Sequence, residues 1–150
     1  MVICFFSTQY LPTPGGVERY TWNLARRCVE VGHRALVVTS SLPGLPTRER
    51  DADGIEIYRL PSWPVMGGRF PVLKPFADAD DLWAQGIDFA VIQTRMYTQS
   101  VWAARQCKRR GIPALVIDHS TGYMLHGGLA GALGKVYEHA ACGSIRRCGF

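Results

Sequence analysis

The sequence predicts an α/β fold, a three-layer Rossmann-like domain with a mostly parallel sheet. Short apolar runs rich in strand-forming residues alternate with segments whose apolar residues recur at helical spacing. Such alternation produces strand–helix–strand units, and consecutive units of this kind form a parallel sheet. Apolar residues make up 47% of the 150-residue chain and charged residues 19%, which is the composition of a single globular domain.

The first unit begins with an apolar run at residues 2–7, which predicts a buried strand. Over residues 17–31 apolar positions recur at helical spacing, while Glu18 and the other charged residues fill the opposite face. The predicted inner face of this helix consists of Val17, Tyr20, Thr21, Leu24, Cys28 and Val31. Gly32 then ends the helix, and the apolar residues 35–39 predict the second strand.

The pattern repeats along the rest of the chain. Strands are predicted at residues 55–60, 89–93 and 114–118, and helices at residues 98–110 and 133–146. The predicted inner faces of these helices are Val101, Ala104 and Cys107, and Leu133, Tyr137, Ala140, Ala141 and Ile145. The proline-rich residues 61–81 predict an irregular connection, and so long a loop in a compact α/β domain is typically functional or flexible.

A ligand cleft is expected at the carboxyl ends of the strands, where open parallel sheets bind their ligands. Residues 8–16, 40–46, 94–97 and 119–128 leave those ends. The first of these segments ends in Gly15 and Gly16, immediately before a helix. The N-terminus of a helix attracts phosphate, and two positions without side chains let a diphosphate approach the backbone. A tight turn without a ligand is the alternative, and the sequence contains neither a dinucleotide-binding fingerprint nor a P-loop.

Asp118 and His119 fall where the fifth strand ends. A histidine there can hydrogen-bond a sugar hydroxyl or stabilise developing charge, although it can also simply cap the strand. Loops on the same side carry six candidates for binding a second substrate, each of which has solvation or packing as its alternative role. These candidates are Tyr10, Trp63, Arg69, Lys74, Arg95 and Tyr97.

The net charge of +5 favours an anionic partner, either a ligand or an anionic membrane surface. Arginine provides 14 of the 17 basic residues, and its planar fork suits phosphate and carboxylate groups. A genome that favours arginine codons is the alternative explanation for the high number of arginines. Because the sequence has no basic run interleaved with aromatic residues, we expect no nucleic-acid partner.

Neither a metal nor a cofactor is expected. The spacing of His139, Cys142 and Cys148 matches no standard zinc pattern. Asp78, Asp80 and Asp81 are interpreted as residues that begin a short helical segment, where acidic side chains favour the helix dipole. The five cysteines are odd in number and follow no secretory signal, which predicts reduced thiols in the cytoplasm.

The stretch PTPGGVERYTWNLARRCVEVGHRALVVTS, residues 12–40, is similar to the opening of family 4 glycosyltransferases, enzymes of the GT-B architecture. That opening consists of a Gly-Gly loop, a long amphipathic helix, a Gly-His turn and an apolar strand. VIDHSTGY, residues 116–123, resembles the family's strand that ends in a histidine. The likeness extends over nearly the whole chain.

The resemblance implies a function. Gly15 and Gly16 would approach the diphosphate of a nucleotide-diphosphate sugar, and His119 would contact the transferred sugar. The loops carrying Tyr10, Trp63, Arg69, Arg95 and Tyr97 would face the acceptor, whether this is a glycan, a lipid or a small molecule. Family members retain the anomeric configuration and generally need no divalent metal. The resemblance thus implies a retaining glycosyltransferase of the cytoplasm, with peripheral contact to the inner face of the membrane where the acceptor is a lipid.

Two departures from the family pattern limit this interpretation. Ser120 follows His119 where glycine is commoner, and the second domain, which binds the donor, has no counterpart in residues 1–150. We therefore expect a truncated, acceptor-side N-terminal domain that does not catalyse transfer alone. The alternatives are a non-catalytic or partner-completed domain that binds an anionic lipid or glycan, and a GT-B sugar-nucleotide epimerase that would use Asp118.

Overall fold

The computed structural model describes residues 1–75, 79–119 and 127–150. Its strands are β1 (Val2–Phe6), β2 (Arg34–Ser40), β3 (Arg48–Arg50), β4 (Glu56–Leu60), β5 (Ser62–Val65), β6 (Phe70–Leu73), β7 (Phe89–Gln93) and β8 (Ala114–Ile117). Its helices are α1 (Gly16–Glu30), α2 (Asp80–Trp83), α3 (Thr98–Arg110) and α4 (Gly128–Arg147). Within the described ranges these elements form the mixed α/β architecture that the sequence predicts.

The main sheet has six strands in the order β3-β4-β2-β1-β7-β8. All neighbours are parallel except β3, which pairs antiparallel with β4. The chain builds the sheet outward from β1, first through β2 to β4 and then, on the other side, through β7 to β8. The connections therefore diverge between β1 and β7, and such a switch point leaves a crevice at the carboxyl ends of the two strands.

Two apolar clusters fill the space between the layers. Alternate strand side chains point to opposite faces, so that Phe6 packs with Ala104 of α3 and Ile145 of α4, whereas Phe5 packs on the other side with Ala25 of α1. Each large side chain that is fully buried stabilises the fold by about 1.5–3 kcal/mol. The two clusters fix the sheet between α1 on one face and α3 with α4 on the other.

The orientation of α1 corrects the sequence prediction. The buried positions of α1 are Glu18, Thr21 and Ala25, whereas Tyr20 is 42% exposed and Val31 is 56% exposed. Small side chains on the inner face let the helix approach the sheet closely. Tyr20 instead places its ring edge-on to His119, with the ring centroids 5.1 Å apart.

The long connection after β4 is not irregular, as the sequence predicts, but forms a two-stranded antiparallel hairpin of β5 and β6. A short 3₁₀ turn at Met66–Gly68 joins the strands, and Gly67 and Gly68 there have positive φ. Pro64 and Pro71 face each other across the pair, which is tolerated because both strands are edge strands. The prolines led to the prediction of an irregular segment. They exclude only a central strand, and they are compatible with the two edge strands of this hairpin.

Three smaller differences concern the ends of elements. The short, charged strand β3 has no apolar pattern and escapes sequence prediction. Helix α4 begins at Gly128, earlier than predicted, and of its predicted inner face Leu133 and Ala140 are exposed while Ala141 and Ile145 are buried. Most of the predicted segment 119–128 and Asp78 lie outside the described residues.

Candidate functional site

A cleft of about 190 Å³ lies at the switch point, between the carboxyl ends of β1 and β7 and the N-terminus of α1. Eight of its nine lining residues have polar side chains, and they come from four separate segments of the chain. The lining residues are Ser7, Thr8, Gln9, Val17, Glu18, Gln93, Thr94, Tyr97 and His119. The fold thus brings together three of the four segments that the sequence places at the ligand side.

Gly15 and Gly16 directly precede the cleft residues Val17 and Glu18, and the two glycines occupy different environments. A Cβ atom built on Gly16 meets no other atom within 4 Å, so that the backbone at the start of α1 faces open space. A Cβ atom on Gly15 would overlap Oε2 of Glu18. The backbone of Gly15 is extended, with φ 179°, a conformation that any residue adopts. The side-chain space at Gly15 is therefore already filled by a carboxylate, while the space at Gly16 is free.

Glu18 is a residue of the cleft that the sequence prediction placed on the solvent face of α1. It is only 6% exposed, and its carboxylate lies over Gly15 in the first turn of the helix. Among the described residues, it forms no ion pair and accepts no hydrogen bond. The partial positive charge of the helix dipole at the start of α1 stabilises this carboxylate.

Gln93 and His119 form a polar pair at the back of the cleft. Gln93 is the last residue of β7 and is 1% exposed. Its Oε1 lies 2.7 Å from Nε2 of His119. Because an amide oxygen only accepts hydrogen bonds, Nε2 must carry a hydrogen, and Nδ1 of a neutral imidazole is then a free acceptor. The edge contact with Tyr20 holds the imidazole ring from the other side.

Two buried polar atoms of the lining have no hydrogen-bond partner within the described part of the chain. They are Nε2 of Gln93 and Oγ1 of Thr8, and Thr8 is 2% exposed. A buried polar group without a partner costs about 1–3 kcal/mol. Both atoms belong to residues that line the cleft, although the atoms themselves are buried.

Thr94 carries backbone strain at the wall of the cleft. This residue is 7% exposed and has a φ of 60°, which is rare for a β-branched residue. Its N–H donates to the carbonyl of Ile117 at 2.7 Å, and its own carbonyl accepts a hydrogen bond of 2.8 Å from the hydroxyl of Ser100. Strand β8 and helix α3 thus hold the chain in this conformation where it leaves β7.

A second cavity, of about 280 Å³, adjoins the cleft and shares Thr8 and Gln9 with it. It lies between the ends of β1 and β2 and the turn of the hairpin. Its lining comprises Thr8, Gln9, Tyr10, Thr13, Thr39, Ser40, Leu42, Gly67, Gly68, Arg69 and Pro71. Nε2 of Gln9 donates to the carbonyl of Gly68 at 2.9 Å, which ties the hairpin turn to the end of β1.

The structure separates the predicted acceptor-binding residues. Tyr97 lines the cleft and stacks on Phe70 of the hairpin, with the centroids 5.2 Å apart. Arg69 borders the second cavity, whereas Trp63 is 49% exposed and contributes to neither lining. Arg95 forms an ion pair with Asp118.

The tyrosines differ in the accessibility of their hydroxyl groups. Tyr10 is 1% exposed, and burial raises the pKa of its phenol. Tyr10 lines the second cavity, although nearly all of its side chain is buried in the core. Burial also raises the pKa of Tyr97, with the nearby charge of Glu18 as a second cause. The phenol of Tyr97 is accordingly protonated at neutral pH and can donate a hydrogen bond into the cleft.

Sequence reasoning missed Glu18 and Gln93, and it placed Thr8 and Thr94 in ligand-side segments without naming them as site residues. A polar residue at the end of an otherwise apolar strand, as in FAVIQ, is the signal that could have identified Gln93. No sequence signal separates Glu18 from the other charges of α1, because only the direction of the helix brings it inward. Thr94 likewise gives no signal, since threonine is an ordinary residue at a strand end.

No group of three or more His, Cys, Asp or Glu side chains within residues 1–75, 79–119 and 127–150 is placed to hold a metal ion. Asp80 and Asp81 lie in the first turn of α2, and the carboxylate of Asp81 accepts a hydrogen bond of 3.0 Å from the N–H of Leu82 and pairs with Arg48. None of the described helices is long and apolar enough to cross a membrane.

Comparisons with known proteins point to one enzyme family. The sequence model of the family described as Glycosyltransferase Family 4 matches residues 14–148. The structure is similar to that of sucrose-phosphate synthase from Thermosynechococcus elongatus, with a TM-score of 0.60 and 17% sequence identity. The similarity covers 93% of this chain and 39% of that enzyme, so the chain spans well under half of its length. No curated protein sequence matches the chain.

Proposed function

The chain belongs to glycosyltransferase family 4, and on that premise we propose that it is the acceptor-side domain of an enzyme that transfers a sugar from a nucleotide-diphosphate sugar. In this reaction the bond between the anomeric carbon and the diphosphate oxygen breaks, and a bond to an acceptor oxygen forms. The acceptor hydroxyl loses its proton, and the nucleoside diphosphate leaves. The placement of His119 and the open start of α1 at one cleft is the observation that carries the proposal.

The diphosphate of the donor would lie against the backbone at Gly16. Nothing occupies the space beside this residue, and the first turn of a helix has N–H groups without intrahelical partners. The helix dipole favours the negative charge that the leaving diphosphate gains as the glycosidic bond breaks. This stabilisation of the diphosphate by the start of α1 does not require a metal ion.

His119 would contact the transferred sugar. Its Nε2 is engaged by Gln93, so Nδ1 is the ring atom left to interact with a sugar hydroxyl. The imidazole is held at a fixed position between Gln93 and Tyr20. A fixed polar group at the reacting centre stabilises developing charge without having to reorganise during the reaction.

Acceptor binding would involve the second cavity and the hairpin that closes it. Tyr97 lines the cleft, and Arg69 lines the second cavity. We propose further that transfer proceeds with retention, and that a donor-binding domain of the complete enzyme closes over this face. Asp118, the acidic residue that an epimerase would need as a free base, is paired with Arg95, which favours the transferase over the epimerase.

The variant Gly16→Arg in the complete enzyme tests the proposal. The side chain would fill the open space at the start of α1, and we expect transfer to fall below about one hundredth of its wild-type rate. Release of nucleoside diphosphate from a panel of nucleotide sugars is the measurement, and Asn23→Arg, an exposed position on the same helix, is the matched control. Wild-type turnover in the folded Gly16→Arg enzyme would refute the diphosphate site.

A further inference from the structure

We propose that the outer face of α4 is a docking surface for an amphipathic helix with an acidic flank, contributed by another protein. The surface consists of an apolar seam, formed by Leu129, Leu133, Val136 and Ala140, and of the basic residues beside it. None of the seam residues lines the cleft or the second cavity. The inference therefore concerns a partner of the chain and does not depend on the proposed transferase function.

The large side chains of the seam extend into solvent. Leu129 is 77% exposed, Leu133 is 62% exposed and Val136 is 69% exposed. Apart from the terminal Met1, no other large apolar side chain in the described part of the molecule is as exposed. Single exposed apolar residues are ordinary on a protein surface, whereas a contiguous row of them marks an interaction site.

The seam lies opposite the buried face of α4. The buried residues Gly131, Glu138 and Ile145 recur every seven residues. Because successive residues of an α-helix are rotated by about 100°, these three share one face, and Leu133 and Val136 point away from it on the other side. A helix packed beside α4 in the same layer would contact its flanks and leave the seam open. Only a partner stacked on the outside of this layer covers the seam.

The spacing of the seam residues indicates a helical partner. Consecutive members are separated by four, three and four positions, which is the heptad spacing at which two helices interdigitate their side chains. A helix that lies in a membrane interface has a broader apolar face that contains aromatic residues. The single tyrosine of α4, Tyr137, instead packs edge-on against Phe70 of the hairpin. The narrow aliphatic seam therefore favours a helix over a lipid surface.

The charges beside the seam select the flank of the partner. Lys135, His139 and Arg146 lie along one side of the seam, and Arg147 lies at its end. The single acidic residue of α4, Glu138, is 2% exposed. A second copy of the chain docked on this face would bring two sets of basic residues together with no acidic residue to oppose them. A helix with Glu or Asp along the facing flank would complement them.

The test uses the complete enzyme and designed peptides as probes. Each probe is an amphipathic helix about four heptads long with leucine at the a and d positions. One probe carries Glu at its flanking e and g positions, a second carries Lys there, and a third has the composition of the first in scrambled order. Binding is measured by fluorescence anisotropy. We expect the Glu probe to bind at least about tenfold more tightly than the Lys probe, and its affinity to fall as salt is added.

Variants of α4 assign the binding to the seam. Leu133→Glu should weaken binding of the Glu probe at least about tenfold, because it replaces a buried apolar contact with a like charge. Val31→Glu, a comparable change at another exposed position, is the matched control and should leave binding unchanged. The double variant Lys135→Glu with Arg146→Glu should reverse the preference and bind the Lys probe more tightly. Such a gain of binding does not arise from a loss of folding.

Three results would overturn the docking surface. In the first, the Glu probe binds the wild-type enzyme no better than the scrambled probe. In the second, Leu133→Glu retains wild-type affinity for the Glu probe. In the third, the seam has a different occupant, either a second copy in a dimer that Leu133→Glu dissociates or anionic phospholipid vesicles that displace the Glu probe. No nucleotide sugar is present in these measurements, so their outcome is independent of the transferase function.

Discussion

Gln93 fixes the hydrogen on His119: the amide oxygen lies 2.7 Å from Nε2 of the imidazole ring. Gln93 is itself immobilised, since it ends a buried strand and its carbonyl accepts a hydrogen bond of 3.1 Å from the hydroxyl of Ser100. A core residue thereby determines which ring nitrogen of His119 is left to face the cleft. In the proposed transferase, this contact would hold His119 in the position from which it reaches the sugar.

Replacement of Gln93 by methionine, which has a similar length but forms no such hydrogen bond, should impair the site more than the fold. We expect the turnover number to fall about tenfold or more, because the imidazole loses the partner that sets its tautomer and orientation. The free energy of unfolding should change by about 1 kcal/mol, the net value of one hydrogen bond. Steady-state kinetics and urea denaturation of the complete enzyme measure both quantities, and an unchanged turnover number would show that the hydrogen bond is not needed.

The sequence predicted the main elements because each of them has a strong local pattern. The strands β1, β2 and β7 are continuous apolar runs bounded by polar or turn residues, and a glycine follows α1 and α3 within two residues. The ligand side followed from the same pattern, since parallel strands direct their carboxyl ends to one edge. The sequence alone therefore places His119 and Gly16 at the same edge of the sheet.

What the sequence did not predict depends on contacts between distant segments. Glu18 points inward because of the way α1 is rotated about its own axis on the sheet. The apolar pattern of the helix does not determine this rotation closely enough to separate Glu18 from its neighbours. The hairpin of β5 and β6 is held by tertiary contacts, such as the bond from the N–H of Leu73 to Oγ1 of Thr98 and the stacking of Phe70 on Tyr97. Propensity alone carries no information about either contact.

The strain at Thr94 leads to an inverted order of two small substitutions. Alanine is normally more stable than glycine by about 0.5–1 kcal/mol in regular structure. At a φ of 60°, however, every residue with a Cβ atom incurs a penalty of about 1–2 kcal/mol that glycine avoids. We expect Thr94→Gly to be more stable than Thr94→Ala by about 1 kcal/mol.

Urea denaturation of the two variants tests this order, and both variants lose the same threonine side chain, so the comparison isolates the backbone. If the alanine variant were as stable as the glycine variant or more so, Thr94 would not be in the left-handed conformation in solution. The activities of the pair are also informative, since relief of strain at the cleft wall should loosen the position of the neighbouring Gln93 and lower turnover in Thr94→Gly.

The overlap between a side chain at position 15 and the carboxylate of Glu18 leads to the last prediction. Gly15→Ala should destabilise the fold by at most about 1 kcal/mol, because the overlapping atoms are the end of the flexible Glu18 side chain, whereas Gly16→Ala should be nearly neutral since its space is open. In a double-mutant cycle with Glu18→Ala, the change at Gly15 should become almost free of cost, which gives a coupling energy of about 0.5–1 kcal/mol. The matched cycle of Gly16→Ala with Glu18→Ala should be additive. Urea denaturation of the six proteins measures both couplings, and additivity in the first cycle would mean that the carboxylate of Glu18 does not rest over Gly15.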